Sequence, residues 1–255
     1  MDFAKWIRRW PAAFLNHDTY ERHHWTVKLL GRTRPGETVL DVGGERMLAR
    51  FAPRLAVRDV NVTGPDAAAG GTESLADRSF DYAVSLDTLE HLPRPERERH
   101  LRELIRVARR RVVFCAPIGQ PEQEKFQRAL LAAGTLDPAS LQYLREHLEF
   151  GLPTPEEIEV MLPGVRIDWR YSGNVRVYAV PGRPPASRLG RAVVLAVGLT
   201  LNWLLNVTWL YWKVGRRRRA VTNRFYGVIE VGPRPASPLR SPGGTRADSP
   251  RRASG

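Results

Sequence analysis

Three acids in this chain stand where short apolar runs end: Asp41, Asp59 and Asp87. Asp41 opens the turn Asp41-Val42-Gly43-Gly44 within TVLDVGGERMLARF at 38–51. A glycine turn after a strand lets backbone approach a ligand, and the following helix offers its first amides. Asp59 comes 18 residues after Asp41, closing LAVRDV (55–60). An acid there can take both hydroxyls of a ribose, or it is simply a solvated strand end. Asp87 closes FDYAVSLD, and Glu90 and His91 follow within two helical steps. His91, partnered by Glu90 or Asp87, has the chemistry of a general base. The competing reading is that Glu90 complements a helix N-terminus and His91 packs on the loop. A Glu-His metal site has no further ligand motif beside it. His23 and His24 either face the cleft or lie on the surface, and His147 either shapes the far side or is structural.

These residues need a frame, and the apolar pattern describes one. TVLDVG, LAVRDV, FDYAVSLD, RVVFCAP (111–117) and VRIDWRYSG (165–173) read as strands. Between them RPERERHLRELIRVARR places Leu101, Leu104, Ile105 and Ala108 on one helical face and charges on the other. Residues 3–15 and 18–30 read as two helices, the first with Phe3, Trp6, Ile7, Trp10 and Phe14 at helical spacing. Strands alternating with helices imply a doubly wound α/β fold with a mostly parallel sheet. Ligands of such sheets sit beyond the carboxyl ends of the strands, where Asp41, Asp59 and Asp87 would converge. VRVYAV and FYGVIEV compete for the role of the last, antiparallel strand.

The formal net charge is +13, but residues 213–255 carry +9 of it. That asymmetry makes nucleic acid an unlikely partner of the folded core. A lone cysteine, Cys115, excludes a disulfide framework and fits a reducing, cytoplasmic setting. The N-terminus does not read as a signal peptide. Residues 192–212 contain no charge and are long enough for a bilayer. Asn202, Asn206, Thr200 and Thr208 interrupt them, and arginines flank both sides. An in-plane membrane segment, a soluble insertion over the site and a true span all stay open, so residues 188–219 are a candidate membrane-facing surface. Either peripheral attachment or anchoring at the inner face of a membrane is expected. The Pro/Gly/Ser/Arg tail reads as disordered.

Both NAD and S-adenosylmethionine fit a glycine turn followed by a strand-end acid. A dinucleotide would set its diphosphate near Asp41, which is unfavourable. A cofactor with an ammonium and a sulfonium suits an acid-rich rim.

The stretches VLDVGGERMLARF, RSFDYAVSLDTLEHLP (78–93), LRELIRVARRRVVFCAPIG (101–119) and YLREHLEFGLPTPEEI (143–158) together resemble class I S-adenosylmethionine-dependent methyltransferases of the bacterial type-11 group. The resemblance covers roughly 20–172 and implies a seven-stranded, Rossmann-like sheet with a hydrophobic helical insertion near the C-terminus. The chain as a whole divides into helices over 1–35 capping the fold, a core at 36–181, a hydrophobic segment with a basic flank at 182–222, a candidate closing strand at 223–231 and a tail at 232–255. By resemblance, Asp41, Val42, Gly43 and Gly44 line the methionine and ribose part of the pocket, and Asp59 takes the ribose hydroxyls. Asp87 sits by the transferred methyl, and Glu90 and His91 face the same rim. The implied activity is methyl transfer to a small-molecule, lipid or glycan acceptor.

The family pattern D-x-G-x-G-x-G breaks at Glu45 and Met47: either a side chain there crowds the cofactor, or the loop swings wider and still binds it. The third-strand region, GPDAAAGGTESLADRSFD, has glycine where an acid often meets adenine, leaving Thr72 or Glu73 as substitutes. A catalytically inactive scaffold or membrane-associated binding protein is therefore the alternative reading.

Overall fold

A computed structural model of the chain describes residues 12–44, 47–60, 71–177, 185–208 and 214–232. Glu45, Arg46, Trp209, Tyr211, Trp212 and the tail from residue 233 lie outside the described residues, as does the expected N-terminal helix except for a 3-10 turn at Ala12–Phe14. Helix α1 (His17–Leu29) begins where the Asn16 side chain accepts from Asp18 N, an N-cap that satisfies an otherwise orphaned amide. Strand β1 (Thr38–Val42), the short helix α2 (Leu48–Phe51), β2 (Ala56–Val60) and β3 (Phe80–Leu86) follow. A 3-10 turn at Leu89–His91 leads into α3 (Arg94–Val107), which passes directly into β4 (Ala108–Pro117). Ala108 thus starts a strand instead of ending a helix. Helices α4 (Pro121–Ala133), α5 (Pro138–Phe150) and α6 (Pro155–Met161) precede β5 (Ile167–Ser172); α7 (Arg188–Val207) and β6 (Arg224–Glu230) close the described chain.

One sheet holds the strands in the order β2-β1-β3-β4-β6-β5. Strands β1 to β4 pair in parallel, and β6 runs antiparallel between β4 and β5. Six strands are present among the described residues, not seven. The third-strand region shows only turns and bends over 71–79, and its residues 64–70 lie outside the described residues. FYGVIEV is the antiparallel strand; of VRVYAV, Val175–Val177 form a 3-10 turn and the rest lies outside the described residues.

Alternation along β1 assigns its two faces. Leu40 and Val42 pack with Leu101, Leu104 and Val107 of α3 and Ile158 of α6. Val39 packs on the other face with Leu30 and Leu48, on the side of α1 and α2. Both faces are therefore covered, as a doubly wound sheet requires. The charged face expected of α3 is only partly solvated: Arg97 and His100 are buried with the leucines.

Candidate active site

A cavity of about 540 Å³ opens beyond the carboxyl ends of β1 and β3, within the range of small-molecule sites. Gly43, Gly44, Asp87, Glu90 and His91 line it from the sheet side, Asp18 and Arg22 from α1, and Tyr143 and His147 from α5.

Gly43 has φ 79°, a conformation that favours glycine, and a Cβ there would strike the Thr88 hydroxyl. A Cβ on Gly44 would fall on the Asp41 carboxylate. Asp41 is fully buried beneath that glycine, and among the described residues its carboxylate oxygens have no partner but Asp59. It sits opposite Asp59 in the β1–β2 register. Burial, with Asp59 alongside, pushes the Asp41 carboxyl up to about 8. Val42 points into the core. Met47 is buried and takes the Arg50 guanidinium on its sulfur at 4.0 Å; it is not among the residues lining the cavity. The crowding expected of Glu45 falls outside the described residues. Thr72 lies apart: it is buried, its carbonyl accepts from Arg106 Nη2 at 3.0 Å, and it does not line the cavity. Glu73 pairs with Arg99 at 3.4 Å on the surface.

Asp87 has φ 50°, uncommon for a residue with a side chain. Its Oδ2 accepts from Arg22 Nη1 at 2.6 Å and its Oδ1 from Arg224 Nη1. Arg224 Nη2 also donates to both oxygens of Asp18, at 3.1 and 3.0 Å. Two aspartates and two arginines thus close into a neutral lattice on the cavity wall. Arg224 and Arg22 hold the Asp18 carboxyl below its ordinary range although burial works the other way. None of Asp18, Arg22 and Arg224 was legible as a site residue from the sequence.

Glu90 is buried, with Oε2 unbonded, and burial pushes its carboxyl up to about 8. His91 Nδ1 lies 2.8 Å from Glu146 Oε2, and its Nε2 lies 3.4 Å from His147 Nε2. Its ring meets Tyr143 edge-on. Burial lowers the His91 pKa against the pull of Glu146, and burial with His91 beside it brings His147 down to about 3. Both rings are neutral near pH 7. Arg97 positions this group. From α3 it donates to the carbonyls of Leu89 and Leu92, to Phe150 O at the end of α5 and Gly151 O just past it, and to Glu157. One buried guanidinium thereby ties the Glu90–His91 turn to the end of the helix that carries His147. His23 and His24 take no part: His23 is buried on Phe51 with Nδ1 at Thr19 O, and His24 stacks on Tyr20.

Residues 37–116 match the methyltransferase domain family. This segment is a methyltransferase domain. It spans β1 to nearly the end of β4, including the Gly43–Gly44 turn and the Glu90–His91 turn. Among curated proteins, none matches the chain in sequence. Among solved structures it is similar to Haemonchus contortus phosphoethanolamine N-methyltransferase 2 in complex with S-adenosyl-L-methionine, at 16% identity and TM-score 0.48, over 82% of this chain and 51% of that one. The chain thus spans about half that enzyme's length. It is also similar to the cyclopropane synthase MmaA2 of Mycobacterium tuberculosis, at 14% identity and TM-score 0.43, over 82% of each chain. A third likeness is a SAM-dependent methyltransferase from Archaeoglobus fulgidus, at 16% identity and TM-score 0.43, over 82% of this chain and 94% of that one.

Proposed function

We propose that the protein transfers a methyl group from S-adenosylmethionine to a small-molecule, lipid or glycan acceptor in the cavity above β1 and β3. The observation that carries this reading is Asp41: a buried carboxyl with no partner but Asp59 among the described residues, beneath Gly44, which lines the cavity and cannot accept a Cβ. Such a group is costly unless a ligand uses it. The donor set fits a cationic, ribose-bearing cofactor: Gly43 and Gly44 would leave the backbone open, Asp41 and Asp59 would accept its donors, and Glu90 would face its charge. S-adenosylmethionine, when bound, supplies a methyl already activated on sulfur, so the chain's contribution is chiefly positioning. The Arg22–Asp87–Arg224–Asp18 lattice holds one wall rigid, and Arg97 holds the other. Tyr143, Phe126 and Leu144 give the acceptor end an apolar surface.

Calorimetric titration of the purified chain with S-adenosylmethionine and S-adenosylhomocysteine tests the reading. Micromolar binding is expected. No binding by a folded sample overturns it in favour of an inactive scaffold.

Helix α7 packs on α1 and the turn before it, next to the Asn16 and Asp18 edge of the cavity, and this supports a membrane-surface location. Asn206 of α7 is buried, donates to Ala13 O and Leu15 O at 3.0 and 2.8 Å, and lies 2.9 Å from His17 Nδ1. Asn202 accepts from His17 N at 3.1 Å. The two asparagines of the helix thus face the protein, while Thr200, Leu189, Val193, Val197 and Leu201 are exposed. The helix is long and apolar enough to cross a membrane; with one face committed to α1, lying in the interface suits it better. Arg216 is paired with Asp168 and Arg218 with Glu156, so Arg217 and Arg219 would add most of the attraction to anionic lipid, about 1 kcal/mol each. Flotation with anionic vesicles is expected for the whole chain and lost on deleting 188–219; retention after deletion overturns the membrane role.

A further inference from the structure

We propose that Glu90, His91 and His147 bind a divalent transition-metal cation at the acceptor end of the cavity. One potential ligand atom from each of the three lies within 4.8 Å of the others. The two Nε2 atoms are 3.4 Å apart. Two imidazole nitrogens bound to one zinc at about 2.0–2.1 Å in tetrahedral geometry stand about 3.4 Å from each other.

The outer nitrogens are already committed. His91 Nδ1 is held by Glu146 Oε2 at 2.8 Å, and His147 Nδ1 faces the Gln127 amide at 3.1 Å. Gln127 Oε1 has no partner, and turning that amide over gives it the His147 Nδ1–H. Each ring then donates outward from Nδ1 and presents a lone pair inward from Nε2. That is the arrangement that orients histidine ligands for a metal. Two lone pairs converging at this distance repel unless a positive charge lies between them. Glu90 supplies the third ligand; it is 1% exposed and its Oε2 is unbonded. Two histidines and one carboxylate leave coordination positions open, a set suited to zinc, cobalt, manganese or ferrous iron. The open side faces the cavity, where an oxygen of the acceptor would complete the coordination. This role in placing the acceptor rests on the methyl-transfer reading; the cation site does not.

The test uses the full chain, stripped with a chelator, dialysed and titrated with Co2+ while its visible ligand-field absorption is followed. One saturable site is expected. His147→Ala and Glu90→Gln should each weaken it at least ~10-fold, and Glu146→Gln, which leaves the ligands in place, by about 10–100-fold. The homocysteine form of the cofactor is titrated into every sample, and thermal unfolding is recorded for every variant. A wild-type chain without saturable Co2+ absorption overturns the site, as does wild-type affinity in all three variants. Cofactor binding without Co2+ binding overturns the cation alone. Co2+ binding without cofactor binding keeps the cation and overturns methyl transfer.

Discussion

Arg224, the first residue of β6, grips Asp87, the residue just past the end of β3. The two meet because β6 runs against its neighbours, so its N-terminus reaches the rim where the parallel strands have their carboxyl ends. A cation from the start of one strand neutralises an acid from the end of another. Asp87 is therefore a structural anchor of the cavity wall as well as part of its lining.

Removing that cation leaves two carboxylates without it. Arg224→Met should destabilise the fold by about 2–3 kcal/mol, below the range for fully buried pairs because Asp87 and Asp18 keep some solvent. Urea unfolding of the variant checks this. Arg224→Lys should recover little, since one ammonium cannot fork between two aspartates as the guanidinium does.

Gly44→Ala puts a methyl on the Asp41 carboxylate. Cofactor affinity should fall ten-fold or more by calorimetry. Gly198→Ala, in α7 with open space around it, is the control. It should leave binding unchanged and stabilise the helix by roughly 0.5–1 kcal/mol.

Asp41 also makes stability depend on pH. Its carboxyl titrates near 3.8 when unfolded and about 8 when folded, so between those values the folded state holds the extra proton. Stability then falls as pH rises through that window, by at most ~1.4 kcal/mol per pH unit for this group. The buried histidines act in the opposite sense, but only below their unfolded value near 6.5. Between about pH 6.5 and pH 8 the carboxyls of Asp41 and Glu90, both raised to about 8, act together in this sense. Urea midpoints of the ligand-free chain should decline across that interval, and Asp41→Asn should decline less. Equal slopes would remove Asp41 as the source.

Arg97→Met should cost about 3–5 kcal/mol, because several carbonyls and Glu157 lose their partner together. The variant should also loosen the His91–His147 approach, seen as restored titration of the two imidazoles by NMR.

His91→Ala should lower turnover far more than it lowers cofactor affinity. Equal, small losses in both would assign His91 to packing alone.

The strands carrying Asp41, Asp59 and Asp87 were readable because each is a short apolar run with an acid at its end. So was α3, from its leucine spacing. Arg97 and His100 misled the same periodicity: charge on a helix usually marks solvent, and here the charged head finds carbonyls inside. The partnership of His91 with Glu146 and His147 has no local signal, since α5 reaches it only through tertiary packing. Arg224 escaped because the rule that sends ligands to the carboxyl ends of strands overlooks a reversed strand, whose beginning lies at that same rim. Thr72, chosen for its place in a glycine-rich stretch, is drawn to Arg106 instead.

His17 holds α7, while its neighbours Asn16 and Asp18 line the cavity. The lip of the pocket and the seat of the greasy helix are thus consecutive residues of one turn. With α7 at a membrane surface, as proposed, an acceptor with a long hydrocarbon tail would have no aqueous gap to cross: its tail would stay in the lipid while its head turned inward past Asp18. Sensitivity to chain length, with little dependence on the tail's chemistry, would be the kinetic mark of such a doorway.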